Sequence, residues 1–214
     1  MTQKRYPLLG LLGGTFDPVH NGHIAIAQHC ITQYNMKSIQ FIPNHNHHHK
    51  PNVKASASHR VNMLKLAITG HKEWQINTME LSNSQPAYSI ETVKQLGHTF
   101  PDHALCFILS VESFNSFNTW KNYREITDHC HLIILGRSNH TLASHSWQLQ
   151  LLSHSSIEHQ HQLQNSMHGK IVLDPYNPPA VTSTDIRTNL NTKKPTINTS
   201  PAVRDYIKTH DLYR

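Results

Sequence analysis

His20 and His23 stand three positions apart, behind the glycine pair Gly13-Gly14 and ahead of an apolar-periodic segment, 24–34. Residues at that spacing share one side of a helix. A helix start offers unpaired N–H groups and partial positive charge to an anion. Two imidazoles there can donate to the bridging oxygens of a polyphosphate and stabilise charge that builds on them. By themselves the two residues equally suit a surface or capping pair, since the chain holds 20 histidines. Zinc would require further ligands, and no suitably spaced Cys or Glu accompanies them.

The glycines offer a second anion-binding element. Four of the eight, Gly10, Gly13, Gly14 and Gly22, fall within the first 22 residues. The expectation is a strand ending at Gly13-Gly14, where missing Cβ atoms permit positive φ and close approach of a ligand to backbone amides. Neither G-x-G-x-x-G nor a P-loop Lys followed by Ser or Thr is present. A third element is Thr182-Ser183-Thr184-Asp185-Ile186-Arg187, after Pro178-Pro179. Hydroxyls and amides at a helix start, followed by a guanidinium one turn later, make a phosphate clamp. The plainer reading is a helix capped by Thr182 or Ser183. A histidine cluster, His45 and His47 to His49, precedes Lys50. Contiguous imidazoles bind transition metals adventitiously, but no anchoring geometry points to a physiological site.

These groups need a scaffold, and the apolar pattern predicts one. Short apolar runs at 7–12, 38–42, 75–79, 104–109, 131–135 and 170–173 alternate with helical patterns near 22–34, 58–68, 89–96 and 146–152. That rhythm is α/β, a Rossmann-like doubly wound parallel sheet with helices on both faces. Two further helices, 184–190 and 201–210, form a small helical part over 184–214, with Pro201 in a first turn. Ser58 and Ser89 are the expected N-caps of their helices. The polar stretch 139–164 reads as a surface excursion. In such sheets ligands bind beyond the carboxyl ends of the strands, where strand order reverses.

At 214 residues the chain suits one domain, 1–214. Lys and Arg number 19 against 13 Asp and Glu, a formal +6, which favours an anionic partner such as a nucleoside triphosphate or nucleic acid. The basic residues are spread out and not interleaved with aromatics, which speaks against nucleic acid. Three widely spaced cysteines imply a reducing compartment, the cytoplasm. The apolar run 8–12 is shorter than the ~7 to 15 residues of a signal peptide core. No run reaches the ~18 residues of a membrane span, so no membrane association is expected.

The stretch Gly13-Gly14-Thr15-Phe16-Asp17-Pro18-Val19-His20-Asn21-Gly22-His23 resembles the nucleotide-binding motif of the HxGH nucleotidylyltransferases. Residues 181–187 resemble that superfamily's ISSTxIR motif, with Val181 and Thr182 in place of Ile and Ser. Within the superfamily the chain looks like the bacterial nicotinate-nucleotide adenylyltransferases. Ile42-Pro43-Asn44 and His49-Lys50 match the acceptor loop, with His47-His48 in place of two prolines, and Thr119-Trp120 matches a Thr-Trp pair whose indole stacks on pyridine.

The resemblance implies transfer of AMP from ATP to nicotinate mononucleotide, giving deamido-NAD and pyrophosphate, with Mg2+ carried by ATP and no metal held by the protein. It implies ATP binding by Gly13, Gly14, Thr15, Phe16, His20, His23, Ser183, Thr184 and Arg187, with His20, His23 and Arg187 catalytic. It implies mononucleotide binding by Asn44, His49, Lys50, Ser89, Trp120, Lys121 and Arg137. Ser110-Val111-Glu112 stands where the family carries Gly-x-Asp, so Glu112 becomes the candidate nucleotide contact. Lys121 replaces a common tyrosine and would favour the carboxylate of nicotinate. The alternatives are another HxGH transferase, acting on nicotinamide mononucleotide, phosphopantetheine or a cytidylyl acceptor, and a nucleic-acid-binding module. Oligomeric state is left open, a homo-oligomer being compatible.

Overall fold

Leu8, Leu9, Leu11 and Leu12 are all buried, although successive strand residues point to opposite faces. Their strand, β1 (Leu8–Gly14), must therefore lie between two layers. The computed structural model describes residues 4–44, 53–82, 87–136, 141–156, 160–192 and 198–214. Among them, β1 is joined by β2 (Ser38–Pro43), β3 (Trp74–Ile76), β4 (Ala104–Ser110), β5 (His131–Leu135) and β6 (Ile171–Asp174). All neighbours run parallel, in the order β3-β2-β1-β4-β5-β6. This is the expected doubly wound sheet.

The two faces are sorted by strand parity. Leu8, Leu12, Ile39, Phe41, Cys106, Ile108, Ile133 and Leu135 meet buried residues of α1 (Asn21–Tyr34), α2 (Ala57–Ala67) and α8 (Pro201–Thr209). Ile186 of α7 (Ser183–Asn191) is also buried. The opposite set, Leu9, Leu11, Leu105, Phe107, Leu109, Leu132 and Ile134, meets α3 (Ser89–Thr99), α4 (Val111–Asn115), α5 (Tyr123–Ile126) and α6 (Ser146–Ser155). The chain crosses from one face to the other between β3 and β4. Strand order therefore reverses between the carboxyl ends of β1 and β4, where a ligand crevice is expected.

Several local expectations are corrected. β3 stops at Ile76 instead of continuing to Met79. Asn77 Oδ1 accepts from Met79 N at 3.1 Å, an Asx-type turn that leads the chain into a 3-10 helix over Met79–Leu81. The cap of α2 is Ser56, whose hydroxyl accepts from His59 N, and Ser58 lies inside the first turn. Tyr88 takes the cap position of α3, and Ser89 is its first helical residue. The polar stretch 139–164 contains a packed helix rather than an excursion. Trp147, Leu151 and Leu152 of α6 lie on the core, and Leu163 is buried. Fully buried Gln148 is satisfied by Asn115 Oδ1 and His145 N.

Candidate active site

The carboxyl end of β1 opens into a tight turn. Gly13 and Gly14 end the strand as expected, but neither has the expected positive φ. The left-handed residue is Phe16, at φ 50, a conformation costly for a side chain and held here by burial. Gly14 is needed because a Cβ there would stand 3.0 Å from the Phe16 ring. Gly13 is exposed, and among the described residues a Cβ on it would meet only Phe107, at 3.7 Å. The glycines thus clear space, and the strained turn falls two residues later.

His20 is the N-cap of α1 and His23 lies in its first turn. Their rings stack at 3.7 Å between centroids, and His23 Nδ1 accepts from the His20 backbone N–H at 3.2 Å. Phe16 also meets His23, edge-on at 4.8 Å. Gly22 is required by this stack, since a Cβ would lie 3.0 Å from His20 Nδ1 and 3.1 Å from Val181.

The second helix start arrives at the same point. Ser183 donates to Pro18 O at 2.9 Å. Arg187 donates to Asp17 O at 2.6 Å and to Thr184 Oγ1 at 3.1 Å, two hydrogen bonds among the described residues for a group with five donors. Thr182 caps α7, its hydroxyl accepting from Asp185 N. The two segments separated by most of the sequence therefore share one turn.

Asp17, unassigned from the sequence, is the hub of that turn. It is 2% exposed. One carboxylate oxygen accepts from Lys54 N at 2.7 Å; the other accepts from Ala55 N at 3.1 Å and from Tyr213 OH at 2.7 Å. Arg187 Nη1 stands 3.9 Å away. Burial, then the Asp17 charge, pushes the Tyr213 hydroxyl up, so it remains a donor. Arg60, 1% exposed, donates to Thr15 O at 2.7 Å, and burial lowers its pKa against the opposing pull of Asp17. Arg60 was detectable as a charge inside an apolar helix stripe; nothing in the sequence marks Tyr213 as Asp17's partner.

The acceptor side is partly assembled. Asn44 is buried, its N–H donates to Gly14 O at 3.0 Å, and its Oδ1 has no hydrogen-bond partner among the described residues. Trp120 is half-buried, its ring 5.9 Å from Phe107, the same ring that underlies Gly13. Lys121 lies 4.4 Å over the Tyr88 ring and 3.5 Å from Glu91, so it is held at the start of α3 beside Ser89. Ser110 caps α4 by accepting from Ser113 N, and Glu112 is exposed in the first turn, between buried Val111 and half-buried Ser113. His49, Lys50 and Arg137 lie outside the described residues, as does the histidine cluster. Among the described residues no group of three His, Cys, Asp or Glu side chains is placed to hold a metal ion.

The chain is also similar to known proteins. Residues 11–189 match the family model described as cytidylyltransferase-like. A probable nicotinate-nucleotide adenylyltransferase of Coxiella burnetii (strain Dugway 5J108-111) is 38% identical over 214 residues, covering 98% of this chain and 99% of its own. Its counterpart in Pseudoalteromonas atlantica is 34% identical over 210 residues, with 97% and 95% covered. Among solved structures, Plasmodium falciparum nicotinic acid mononucleotide adenylyltransferase complexed with NaAD superposes with a TM-score of 0.73 at 16% identity. It covers 97% of this chain and 98% of its own, a likeness of fold.

Proposed function

The chain belongs to the cytidylyltransferase-like family, with nicotinate-nucleotide adenylyltransferases as full-length relatives, and from that premise we propose how its residues carry out adenylyl transfer to nicotinate mononucleotide in NAD biosynthesis. The observation that carries the proposal is the meeting of two helix starts at the end of β1, joined by the Ser183–Pro18 and Arg187–Asp17 hydrogen bonds. Each start offers amides and a partial positive charge to phosphate.

In this reaction a phosphate oxygen of the mononucleotide attacks the α-phosphorus of ATP. The bond from that phosphorus to the bridging oxygen breaks, and its electron pair leaves with pyrophosphate. The attacking phosphate is already anionic at neutral pH, so no general base is needed. Catalysis then rests on positioning and on stabilising charge. The Gly13 to Phe16 backbone with His20 and His23 would hold the α and β phosphates, and Ser183, Thr184 and Arg187 the far end of the triphosphate. The donor set is imidazole, hydroxyl, amide and guanidinium, complementary to phosphate oxygens rather than to a cation. Mg2+ would accordingly travel on the triphosphate, where it supplies positive charge to the departing pyrophosphate.

Asn44, Ser89, Trp120 and Lys121 would receive the acceptor, with His49, Lys50 and Arg137 as further candidates and Glu112 as a nucleotide contact. The buried Asn44 Oδ1 is an acceptor that a ligand hydroxyl can satisfy. The chain would act as a single domain, supported by the packing of α8 on α2 within the same core as β1. Its small-molecule partners would be ATP and nicotinate mononucleotide, and its compartment the cytoplasm. Buried free cysteines and the lack, among the described residues, of a helix long and apolar enough to cross a membrane are compatible with that placement.

Pyrophosphate release from Mg-ATP tests the reading, with nicotinate mononucleotide, nicotinamide mononucleotide and phosphopantetheine as acceptors and CTP as an alternative donor. Turnover chiefly with ATP and the nicotinate acceptor is expected. Release only with another pair would keep the family and replace the substrate.

A further inference from the structure

A buried polar cluster lies away from the site, where α1 passes the carboxyl end of β6. Asp174, the last residue of β6, is 8% exposed. Its Oδ2 accepts from His29 Nε2 and from Tyr34 OH, each at 2.6 Å, and its Oδ1 accepts from Tyr176 N at 2.8 Å. An ionised carboxylate only accepts, so His29 presents an Nε2–H and Tyr34 its O–H. Burial, then the hydrogen bond to Asp174, pushes the Tyr34 hydroxyl up and keeps it a donor. The His29 ring also lies flat on Tyr176, at 3.9 Å and 5°. One carboxylate thus ties the middle and end of α1 to the first turn after β6.

That turn begins the connection to α7. The connection contains Pro175, Pro178 and Pro179, which have no N–H to donate. Its placement is therefore set chiefly at its two ends. At the near end stand the Asp174 cluster and Gly136, which donates to Asp174 O at 3.2 Å and has Tyr176 O only 3.1 Å from where a Cβ would be. At the far end Val181 presses on Gly22 of α1. His29 and Tyr34 lie about 9 and 16 Å along the axis from His23, at ~1.5 Å per residue. The helix that presents the histidine pair at its start thus also anchors, near its other end, the chain that delivers Ser183, Thr184 and Arg187.

We propose that Asp174 is a positioning residue for the triphosphate clamp, fixing the start of α7 against the start of α1 through His29, Tyr34 and Tyr176. This rests on the reading that the two helix starts hold ATP. The acceptor side, built on β2, α3 and the Trp120 turn, has no link to the cluster through these hydrogen bonds, so ATP binding should suffer selectively.

The test is calorimetric binding of Mg-ATP and, separately, of nicotinate mononucleotide to the full chain, at a temperature where each variant keeps the wild-type circular dichroism. Asp174→Ala should weaken ATP binding by about tenfold or more, since three hydrogen bonds to a buried carboxylate are lost. Asp174→Asn keeps an accepting oxygen and should recover part of the loss. Nicotinate mononucleotide should bind each variant within about twofold of wild type, a small fraction of the tenfold step. Should Asp174→Ala not fold, Tyr34→Phe carries the same comparison with a smaller expected loss. ATP affinity unchanged in folded variants, or equal weakening of both ligands, would overturn the proposal. His23→Ala separates the two ideas: if it weakens ATP binding while the folded Asp174 variants bind ATP as wild type does, the clamp stands and the role of Asp174 fails. If wild type and His23→Ala bind ATP alike, the clamp reading fails, and the proposal with it.

Discussion

Tyr213 donates to Asp17 Oδ1 at 2.7 Å across 196 positions of sequence, fastening the segment after α8 to the turn that follows β1. The same carboxylate receives the amides of Lys54 and Ala55, so two remote stretches converge on one buried anion. Tyr213→Phe removes a donor and leaves that anion under-satisfied, at a cost of about 1–3 kcal/mol. Urea unfolding of the variant should show a lower midpoint at unchanged slope. An unaltered midpoint would mean that the hydroxyl contributes nothing net.

His23→Ala and His20→Ala should each reduce the turnover rate by roughly 10² to 10³, the effect of deleting one donor to developing charge. Stability should change little by comparison for the half-buried His23. Steady-state kinetics with saturating Mg-ATP and nicotinate mononucleotide give the answer directly, and near wild-type turnover would remove the histidines from the phosphate site.

Gly22→Ala separates stability from activity. Alanine is the better helix former by about 1 kcal/mol, yet its Cβ would crowd the His20 ring and Val181 at 3.0 and 3.1 Å. Displacing either disturbs the histidine stack and the approach of α7. The expected outcome is a fall in kcat/KM for ATP without a matching gain in thermal midpoint. Full activity in this variant would show that the stack tolerates a shift.

Cys30, Cys106 and Cys130 are free and buried, and burial pushes all three thiols up, with Asp174 adding to the effect at Cys30. Thiolate is the reactive form. Ellman's reagent at pH 8 should therefore find almost no reactive thiol in the native protein and three after denaturation. A fast-reacting native thiol would contradict the core packing.

His131 is fully buried on β5, with Ser166 O accepting from Nε2 at 3.0 Å and Nδ1 accepting from Lys170 N at 3.1 Å. Burial lowers its pKa to about 4, against an ordinary value near 6.5. In that interval the unfolded chain binds the extra proton, so stability is full above about pH 6.5 and falls as the pH drops towards 4. The full contribution is of order 3 kcal/mol. Denaturation midpoints across pH 4 to 7 should show this slope, and His131→Gln should flatten it; a slope unchanged by the substitution would assign it to other groups.

The parts of this protein written in local sequence were legible without the structure. Strands buried on both faces show as short continuous apolar runs and helices as period-3.6 stripes, and their alternation placed the doubly wound sheet and most element boundaries. The histidine pair and the segment Ser183 to Arg187 are contiguous patterns, and each stands at a helix start as expected. Expectations failed where polar side chains bond to nearby backbone or to each other. Asn77 ended β3 early, Ser56 displaced Ser58 as a cap, and satisfied Gln148 concealed a packed helix behind a polar composition. What only the tertiary structure decided is which distant groups share a charge. Asp17 with Tyr213, Arg60 with Thr15, and Asp174 with His29 and Tyr34 are pairings across dozens to nearly two hundred positions. No local pattern encodes them, because a buried carboxylate or guanidinium is satisfied by whatever donors or acceptors the packed chain brings within hydrogen-bond reach.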